Sequence, residues 1–181
     1  ASAKGDALKG MGLRKGGYIL TTLHRQENVD SRERLTNILI SMERVGRETG
    51  LEIVWPMHPR AKKNLETFGL NLPSNVRAVT PLGFLEFLQM EGGAALALTD
   101  SGGVQEESCI LGVPCVTLRD NTERPETVEV GANVVVGTDP ARILDGVRTM
   151  LPRRGGWACP LGESGAGGRI VDICQERTIQ R

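Results

Sequence analysis

Short apolar runs alternate with segments of helical periodicity along most of this chain. The apolar runs predict strands at residues 18–23, 51–57, 76–79, 94–98, 114–118 and 133–136. Between them, apolar residues recur every three or four positions and predict helices over about residues 30–49, 61–68, 84–91, 102–111, 125–130 and 140–151. Strands that are apolar throughout are buried on both faces. The pattern therefore predicts an α/β fold, a doubly wound, Rossmann-like parallel sheet with helices on both sides.

The ends of several predicted helices carry their own signals. Asp30 and Glu33 have the spacing of a capping box, which places the start of the first long helix at Asp30, and Gly50 is expected to end that helix. Asp139 before Pro140 predicts a later N-cap. The sequence divides into three predicted parts. Residues 1–17 are a linker or the end of a preceding element, and residues 18–151 are the α/β domain. Residues 152–181 are a crossover loop and a terminal helix.

Charge and cysteine content narrow the class of protein. The chain has 22 basic and 22 acidic residues, so it lacks the basic excess typical of nucleic-acid binding. Its apolar runs are far shorter than the roughly 20 residues that cross a bilayer, which argues against a membrane partner. The four cysteines form no Cys-x-x-Cys pair and lie far from both histidines, a pattern that favours reduced thiols over a zinc site or disulfides. We therefore expect a cytoplasmic protein.

A candidate anion site follows the fourth predicted strand. In open α/β sheets, ligands bind beyond the carboxyl ends of the strands, and here Ser101-Gly102-Gly103 joins a strand to a helix. Glycines let a ligand approach the backbone, and the amides of these three residues lie where a helix attracts anions. Glu107, one turn later, is placed to accept hydrogen bonds from ribose hydroxyls. The spacing fits a nucleotide diphosphate; the alternative is a capped helix after a tight turn.

Other strand ends add basic side chains to the same predicted edge. Arg119 and Arg124 suit bidentate phosphate contacts, or equally a local network with neighbouring carboxylates. His24 follows the first strand and is an acid, a hydrogen-bond donor to a departing phosphate, or a plain loop residue. His58 follows the second strand at the equivalent position. The convergence of these loops on one edge favours a binding function.

The segments TTLHRQENVD, WPMHPR, PLGFLEFL, LTDSGGVQEE, LGVPCVTLRDNTERPE and VGTD occur in this order along the chain. Together they resemble the C-terminal half of the non-hydrolysing UDP-N-acetylglucosamine 2-epimerases, over about residues 18–177. The resemblance implies the C-terminal domain of a glycosyltransferase-B-type fold, with the nucleotide sugar between two Rossmann-like domains. It also implies a reaction without cofactor or metal, in which UDP is eliminated to leave a 2-acetamidoglucal and is then added back to give UDP-N-acetylmannosamine.

The resemblance assigns roles to residues of this chain. His24 assists the departure of UDP, and Arg124 neutralises charge on the leaving phosphate. It also implies that Leu82 and Phe87 frame the uracil ring. Ser101, Gly102 and Gly103 hold the diphosphate, and Glu107 accepts hydrogen bonds from the ribose. Arg25 and His58 match positions that line a neighbouring regulatory site for UDP-N-acetylglucosamine in bacterial members.

The family enzyme is about twice as long as this chain, and its proposed proton-transferring carboxylates belong to the N-terminal half. Glu27 and Glu106 are the nearest carboxylates here, and neither is assigned that role. We therefore expect this chain to bind UDP weakly and to be inactive without an N-terminal domain. Full-length relatives are commonly dimers. The alternatives are a nucleotide-sugar-binding regulatory module, or the nucleotide half of a hydrolysing epimerase or a glycosyltransferase.

Overall fold

A computed structural model describes residues 7–162 and 165–179 of the chain. Its centre is a sheet of six parallel strands in the order β3-β2-β1-β4-β5-β6. The strands are β1 (Tyr18–Thr22), β2 (Glu52–Pro56), β3 (Val76–Val79), β4 (Leu96–Thr99), β5 (Cys115–Thr117) and β6 (Asn133–Val135). The predicted Rossmann-like α/β fold is thus confirmed. The strand order reverses between β1 and β4, which opens a crevice at the carboxyl ends of these two strands.

The part of the chain that the structure describes contains nine helices. They are α1 (Ala7–Gly10), α2 (Gln26–Val29), α3 (Arg32–Thr49), α4 (Pro59–Phe68), α5 (Phe84–Gly93), α6 (Gly102–Leu111), α7 (Pro125–Glu129), α8 (Pro140–Met150) and α9 (Ala166–Ile179). A 3-10 turn at Leu151–Arg153 follows α8. The short α2 replaces part of the loop expected after the first strand. Its backbone is satisfied locally, since the amides of Asn28 and Val29 both donate to the Arg25 carbonyl.

Two apolar clusters lie on opposite faces of the sheet because successive strand residues point to opposite sides. In β1, Ile19 belongs to the larger cluster, which includes residues of α3 and α8, whereas Tyr18 and Leu20 belong to the smaller one. The smaller cluster includes Met90 of α5 and Val104 of α6. The site elements α5 and α6 are therefore held by the smaller cluster, and the larger one supports the opposite face.

The segment before β1 packs against the smaller cluster. Leu8, Met11 and Leu13 lie against it, and the amide of Gly16 donates to the carbonyl of Gly93 at 2.7 Å. Residues 1–6 of the predicted linker lie outside the described residues, as do residues 163–164 and 180–181 of the predicted tail. The terminal helix begins at Ala166.

One predicted helix boundary is wrong, and two are confirmed. The N-cap of α3 is Ser31, whose Oγ accepts from the amide of Arg34, and not Asp30. The Asp30 carboxylate instead accepts hydrogen bonds from Arg60 and Asn64 of α4, contacts that local spacing does not reveal. Gly50 does end α3, in the left-handed conformation at φ 68° that glycine adopts without strain. Asp139 does cap α8.

Candidate functional site

The loops that follow the strands meet at one edge of the sheet. His24 follows β1, Ser101 follows β4 and Arg119 follows β5, and these three strands are neighbours in the sheet. A cleft of about 390 Å³ at this edge is lined by Arg25, Gln26, Glu27 and Arg119. The predicted convergence of polar residues at the switch point is therefore present.

The N-terminus of α6 leaves two amides without an acceptor inside the helix. Ser101 is the N-cap, and its Oγ accepts from the amide of Val104 at 3.5 Å. Gly102 and Gly103 take the first two helical positions, whose amides have no intrahelical acceptor. The expectation that the Ser101 amide also faces a ligand is wrong, because that amide donates to Thr99 Oγ1 at 2.9 Å. Two amides and one hydroxyl remain as anion donors.

The fold itself does not require glycine at these two positions. Neither Gly102 nor Gly103 has a positive φ. An added Cβ on Gly102 would lie 3.8 Å from Glu123 Oε2, and one on Gly103 would lie 3.9 Å from Ser101 Oγ, which are ordinary contacts. Glycine is among the poorest helix formers, so its use here costs stability that neither packing nor backbone conformation explains.

His24 is held by the buried carboxylate of Asp100. Asp100 Oδ1 lies 3.0 Å from His24 Nδ1, and the Asp100 carboxylate also accepts from the backbone amides of His24 and Arg25. Asn28 Nδ2 donates both to Asp100, at 3.1 Å, and to the carbonyl of Leu118, at 2.9 Å. The carboxylate fixes Nδ1 as a donor and leaves Nε2 for an external group. Asp100 was not singled out from the sequence, although it precedes the Ser-Gly-Gly motif directly.

The Arg119 guanidinium forms a local network. Arg119 is 7% exposed, and its Nε donates to Glu27 at 3.2 Å while its Nη2 donates to Glu123 at 3.3 Å. Arg25 Nη2 lies 3.9 Å from the other oxygen of Glu123. Of the two predicted roles of Arg119, the structure thus shows the local network with neighbouring carboxylates. The contact with Glu27 is made across 92 positions and was not foreseen.

Arg124 forms an ion pair that the sequence did not indicate. Its Nε lies 2.5 Å from Glu106 Oε1 on α6, and its Nη1 donates to the carbonyl of Glu123 at 2.9 Å. The backbone amide of Arg124 donates to Thr122 Oγ1, which holds the residue at the start of α7. Since the side chain is one-third exposed, it remains accessible to a ligand at the same edge.

Glu107 lies beside a second carboxyl group, that of Glu91 on α5. Glu91 is completely buried, and its Oε1 accepts a hydrogen bond from Ser108 Oγ at 2.7 Å. Burial, together with the neighbouring Glu107 carboxylate, raises the pKa of Glu91 to about 8, against the lowering effect of the Ser108 hydrogen bond. Sequence reasoning missed Glu91, although an acidic residue in the otherwise apolar end of a predicted helix was the available signal.

Of the residues expected to frame uracil, Leu82 lies in the loop between β3 and α5, and Phe87 lies on α5. Leu82 and Phe87 are both partly buried and pack against the smaller cluster. The two residues expected to line a regulatory site are placed differently. His58 is exposed and caps α4, with Nδ1 accepting from the amide of Arg60 at 3.2 Å. Arg25 faces Glu123, as described above.

The described ranges hold neither a metal-binding cluster nor a disulfide. No group of three His, Cys, Asp or Glu residues there is arranged to hold a metal ion. Cys109 and Cys115 are buried, Cys159 is exposed, and the described cysteines form no disulfide. Within those same residues, no helix combines the length and the apolar character needed to span a bilayer.

Comparison with known proteins identifies the family. The family described as UDP-N-acetylglucosamine 2-epimerase matches residues 2–175. The UDP-N-acetylglucosamine 2-epimerase of Methanocaldococcus jannaschii is 51% identical over 160 residues, which cover 86% of this chain and 44% of that protein. A UDP-2,3-diacetamido-2,3-dideoxy-D-glucuronate 2-epimerase of Pseudomonas aeruginosa is 44% identical, over 75% of this chain and 37% of that protein.

A solved structure gives the same result. The crystal structure of the M. jannaschii enzyme in complex with UDP-N-acetylglucosamine and UDP superposes with a TM-score of 0.85 and 45% identity, covering 96% of this chain and 49% of that chain. The chain thus spans about half the length of the relatives that it matches. The match over residues 2–175 shows that this chain belongs to the UDP-N-acetylglucosamine 2-epimerase family.

Proposed function

We propose that residues 18–151 form the UDP-binding half of an enzyme that interconverts UDP-N-acetylglucosamine and UDP-N-acetylmannosamine. The observation that carries this proposal is the N-terminus of α6. There, two glycines that the fold does not need leave their amides unclaimed beside the His24–Asp100 pair. Similarity to the M. jannaschii relative, which has been solved with UDP-N-acetylglucosamine and UDP, supports it.

In this proposal the diphosphate lies at the N-terminus of α6. The amides of Gly102 and Gly103 and the hydroxyl of Ser101 donate to phosphate oxygens, and the helix dipole favours the negative charge. Glu107, one turn further along α6, accepts hydrogen bonds from the ribose hydroxyls. The uracil ring lies between the backbone of Leu82 and the ring of Phe87. A nucleotide in this position runs from α5 across α6 to the His24 loop.

The elimination step uses His24 and Arg124. The bond between the anomeric carbon and the phosphate oxygen breaks, UDP leaves with the electron pair, and a proton leaves C2 to form the glucal. With its Nδ1–H held by the Asp100 carboxylate, His24 donates a hydrogen bond from Nε2 to the departing phosphate in its imidazolium form, which the same carboxylate stabilises. Arg124 compensates the negative charge that develops on the leaving group. Addition of UDP with delivery of the proton to the opposite face of C2 completes the reaction.

The C2 proton is moved by groups other than His24 and Arg124. Glu27 and Glu106 are each engaged by an arginine, Arg119 and Arg124 respectively, and a paired carboxylate is a poorer base. We therefore infer that turnover requires the half of the protein that the relatives carry in addition. The natural partners are that half, UDP-N-acetylglucosamine, and a second copy in a homodimer. A cytoplasmic location agrees with buried thiols and a nucleotide-sugar substrate.

Arg25 and His58 remain proposed regulatory residues. Both lie at the edge of the sheet that carries the UDP site, after β1 and β2. Arg25 is linked to that site because Glu123 faces both Arg25 and Arg119. A UDP-sugar bound near Arg25 would therefore reach the loop that holds His24.

Titration calorimetry with UDP, paired with a turnover assay, tests the proposal. We expect this chain to bind UDP and to show no epimerisation alone, and we expect activity when a separately produced N-terminal half is supplied. UDP binding without any turnover in that mixture would favour a regulatory module. Absence of UDP binding would overturn the assignment of the site, and turnover by this chain alone would overturn the division of labour.

A further inference from the structure

Glu91 is a buried carboxyl group for which the proposed reaction has no use. It lies on the last turn of α5 and is 0% exposed. Burial of an ionised carboxylate is costly unless charged or hydrogen-bonding groups compensate it. Ser108 Oγ donates a hydrogen bond to one of the two oxygens, Oε1, at 2.7 Å. The other oxygen, Oε2, is buried and receives no hydrogen bond from the residues that the structure describes.

The neighbour of Glu91 on α6 is another carboxyl group, that of Glu107. Glu107 directly precedes Ser108, whose Oγ donates to Glu91 Oε1 at 2.7 Å, and its carboxylate is close enough to raise the pKa of Glu91. Two carboxylates in contact cannot both be ionised at low cost, whereas one proton shared between them makes a hydrogen bond. Because Glu91 is the more buried of the two, the proton belongs on Glu91, and the carboxylate charge belongs on Glu107.

Among the described titratable groups near Glu91, two stay neutral and the Arg154 cation is used by backbone carbonyls. Tyr18 on β1 donates its hydroxyl to the carbonyl of Met90, and burial raises the pKa of both Tyr18 and Cys115 on β5, which therefore stay neutral. Arg154 donates to the carbonyls of Gly92 and Ala94 at the end of α5.

Cys109 on α6 also stays a thiol, since burial raises its pKa, and Lys9 lies on α1, which packs against α5. Glu107 remains the charged group that acts on Glu91.

We propose that protonated Glu91 is a positioning residue, which donates a hydrogen bond to Glu107 and orients its carboxylate toward the ribose of UDP. This inference rests on the proposed function, since it assigns a purpose to Glu91 through the ribose contact of Glu107. With one oxygen of Glu107 held by the Glu91 proton, the other is directed to the ligand. UDP affinity then depends on the protonation of a group that does not touch the nucleotide.

The direction of the pH effect follows from the raised pKa of Glu91, about 8. Below this value Glu91 carries its proton and Glu107 is held. Above it Glu91 ionises, the two carboxylates repel each other, and Glu107 loses its orientation. At about pH 9, roughly a tenth of Glu91 remains protonated, so UDP affinity should fall by up to about tenfold between pH 7 and pH 9.

Calorimetric titration of UDP into the parent protein and the Glu91→Gln variant tests this. The glutamine amide donates to Glu107 at every pH, and its carbonyl accepts from Ser108. The nucleotide's own titration affects both proteins equally, so the comparison isolates Glu91. We expect the ratio of the Kd at pH 9 to the Kd at pH 7 to be about tenfold larger for the parent. Equal ratios for the two proteins would overturn the proposal.

Two further measurements separate this inference from the proposed function. Ser108→Ala removes the hydrogen bond that lowers the pKa of Glu91, so the fall in UDP affinity should move to higher pH; an unmoved profile contradicts the proposal. Absence of UDP binding in every variant at every pH would overturn the proposed function and the ribose contact with it.

The protonation of Glu91 can also be tested without ligand, through the pH dependence of the unfolding free energy. A group with a raised folded-state pKa loses stabilisation as pH rises from its unfolded value of 4.5 to about 8. The parent should therefore lose unfolding free energy over this range relative to Glu91→Gln. Parallel curves would show that Glu91 does not hold the proton.

Discussion

The N-termini of α6 and α8 begin with similar sequence signals but are completed differently. At α8, the carboxylate of Asp139 accepts from the amides of Ala141 and Arg142, both at 3.0 Å, so the chain itself supplies the negative charge. At α6, the neutral Ser101 accepts from the amide of Val104 alone, at 3.5 Å. The N-terminus of α8 therefore needs no external anion, whereas the N-terminus of α6 is where we propose that the phosphate binds.

The largest expected effect comes from making α6 resemble α8. Ser101→Asp places a carboxylate where the diphosphate is proposed to bind, so UDP affinity should fall by about 3 kcal/mol, roughly a hundredfold, because like charges are forced together. Aspartate is as good an N-cap as serine, so the unfolding free energy should change by less than about 0.5 kcal/mol. Calorimetry and denaturant titration measure the two quantities.

The matched control for this substitution is Asp139→Ser at α8. It makes the reverse change at a helix that is not expected to bind ligand, so UDP affinity should stay at the parent value. Unchanged UDP binding in Ser101→Asp would place the phosphates elsewhere.

Intermediate effects are expected from the two charged side chains assigned to UDP. Glu107→Ala and Arg124→Ala should each weaken binding by about 1–3 kcal/mol, the range for a lost charged hydrogen bond. Arg47→Ala is a suitable control, because Arg47 is exposed on α3 and pairs with Glu43 one turn away on the same helix. If both site variants bind UDP like the parent in calorimetry, the assignment of Glu107 and Arg124 is wrong.

A smaller effect is expected at Gly103, where substitution should raise stability and weaken UDP binding. Gly103→Ala should stabilise the fold by up to about 1 kcal/mol, because alanine is the better helix former and the added methyl group has space. UDP binding should weaken by about 1 kcal/mol, since the methyl group limits the approach of the phosphate. Gly168→Ala on α9, where a Cβ also meets open space, should affect neither ligand nor site. Tighter UDP binding by Gly103→Ala would contradict the site.

The smallest effect concerns α8 and its attachment to the rest of the fold. Arg148 on α8 donates to Glu48 on α3, and this hydrogen bond lowers the pKa of Glu48 below 4.5. A lowered folded-state pKa gives stability that is present above the unfolded value and is lost as pH falls through the folded one. Arg148→Ala should therefore flatten the acid limb of the stability curve and leave UDP affinity unchanged. A steeper acid limb, or loss of UDP binding, would contradict this separation.

The order and type of the main elements could be predicted from the sequence because they depend on local periodicity. Val76–Val79 is observed with its predicted bounds, and Asp139 and Gly50 act at the helix ends where their side-chain chemistry places them. The error at Asp30 has a long-range cause. Arg60 and Asn64, about thirty positions away, offer this carboxylate better partners than the local backbone.

The candidate site was predictable as a set of strand-end loops but not as a network. The pattern Ser-Gly-Gly at a helix start indicates anion binding, and the sheet order confirms that His24 and Ser101 follow adjacent strands. The partners of Arg119, Arg124 and Glu107 depend on how α2, α5 and α6 pack, and no spacing rule reports that. Spacing also does not reveal that the amide of Ser101 donates a hydrogen bond to Thr99 Oγ1 of the preceding strand.

The buried Asp100 carboxylate has a consequence for the thermodynamics of ligand binding. It holds the backbone of His24 and Arg25 and the amide of Asn28, which in turn is bonded to the carbonyl of Leu118. The conformational entropy of this loop is therefore lost when the chain folds and not when a nucleotide arrives. If UDP binds at this edge as proposed, its association then has to restrict mainly the ligand itself, because the imidazole and the helix amides are already held in place.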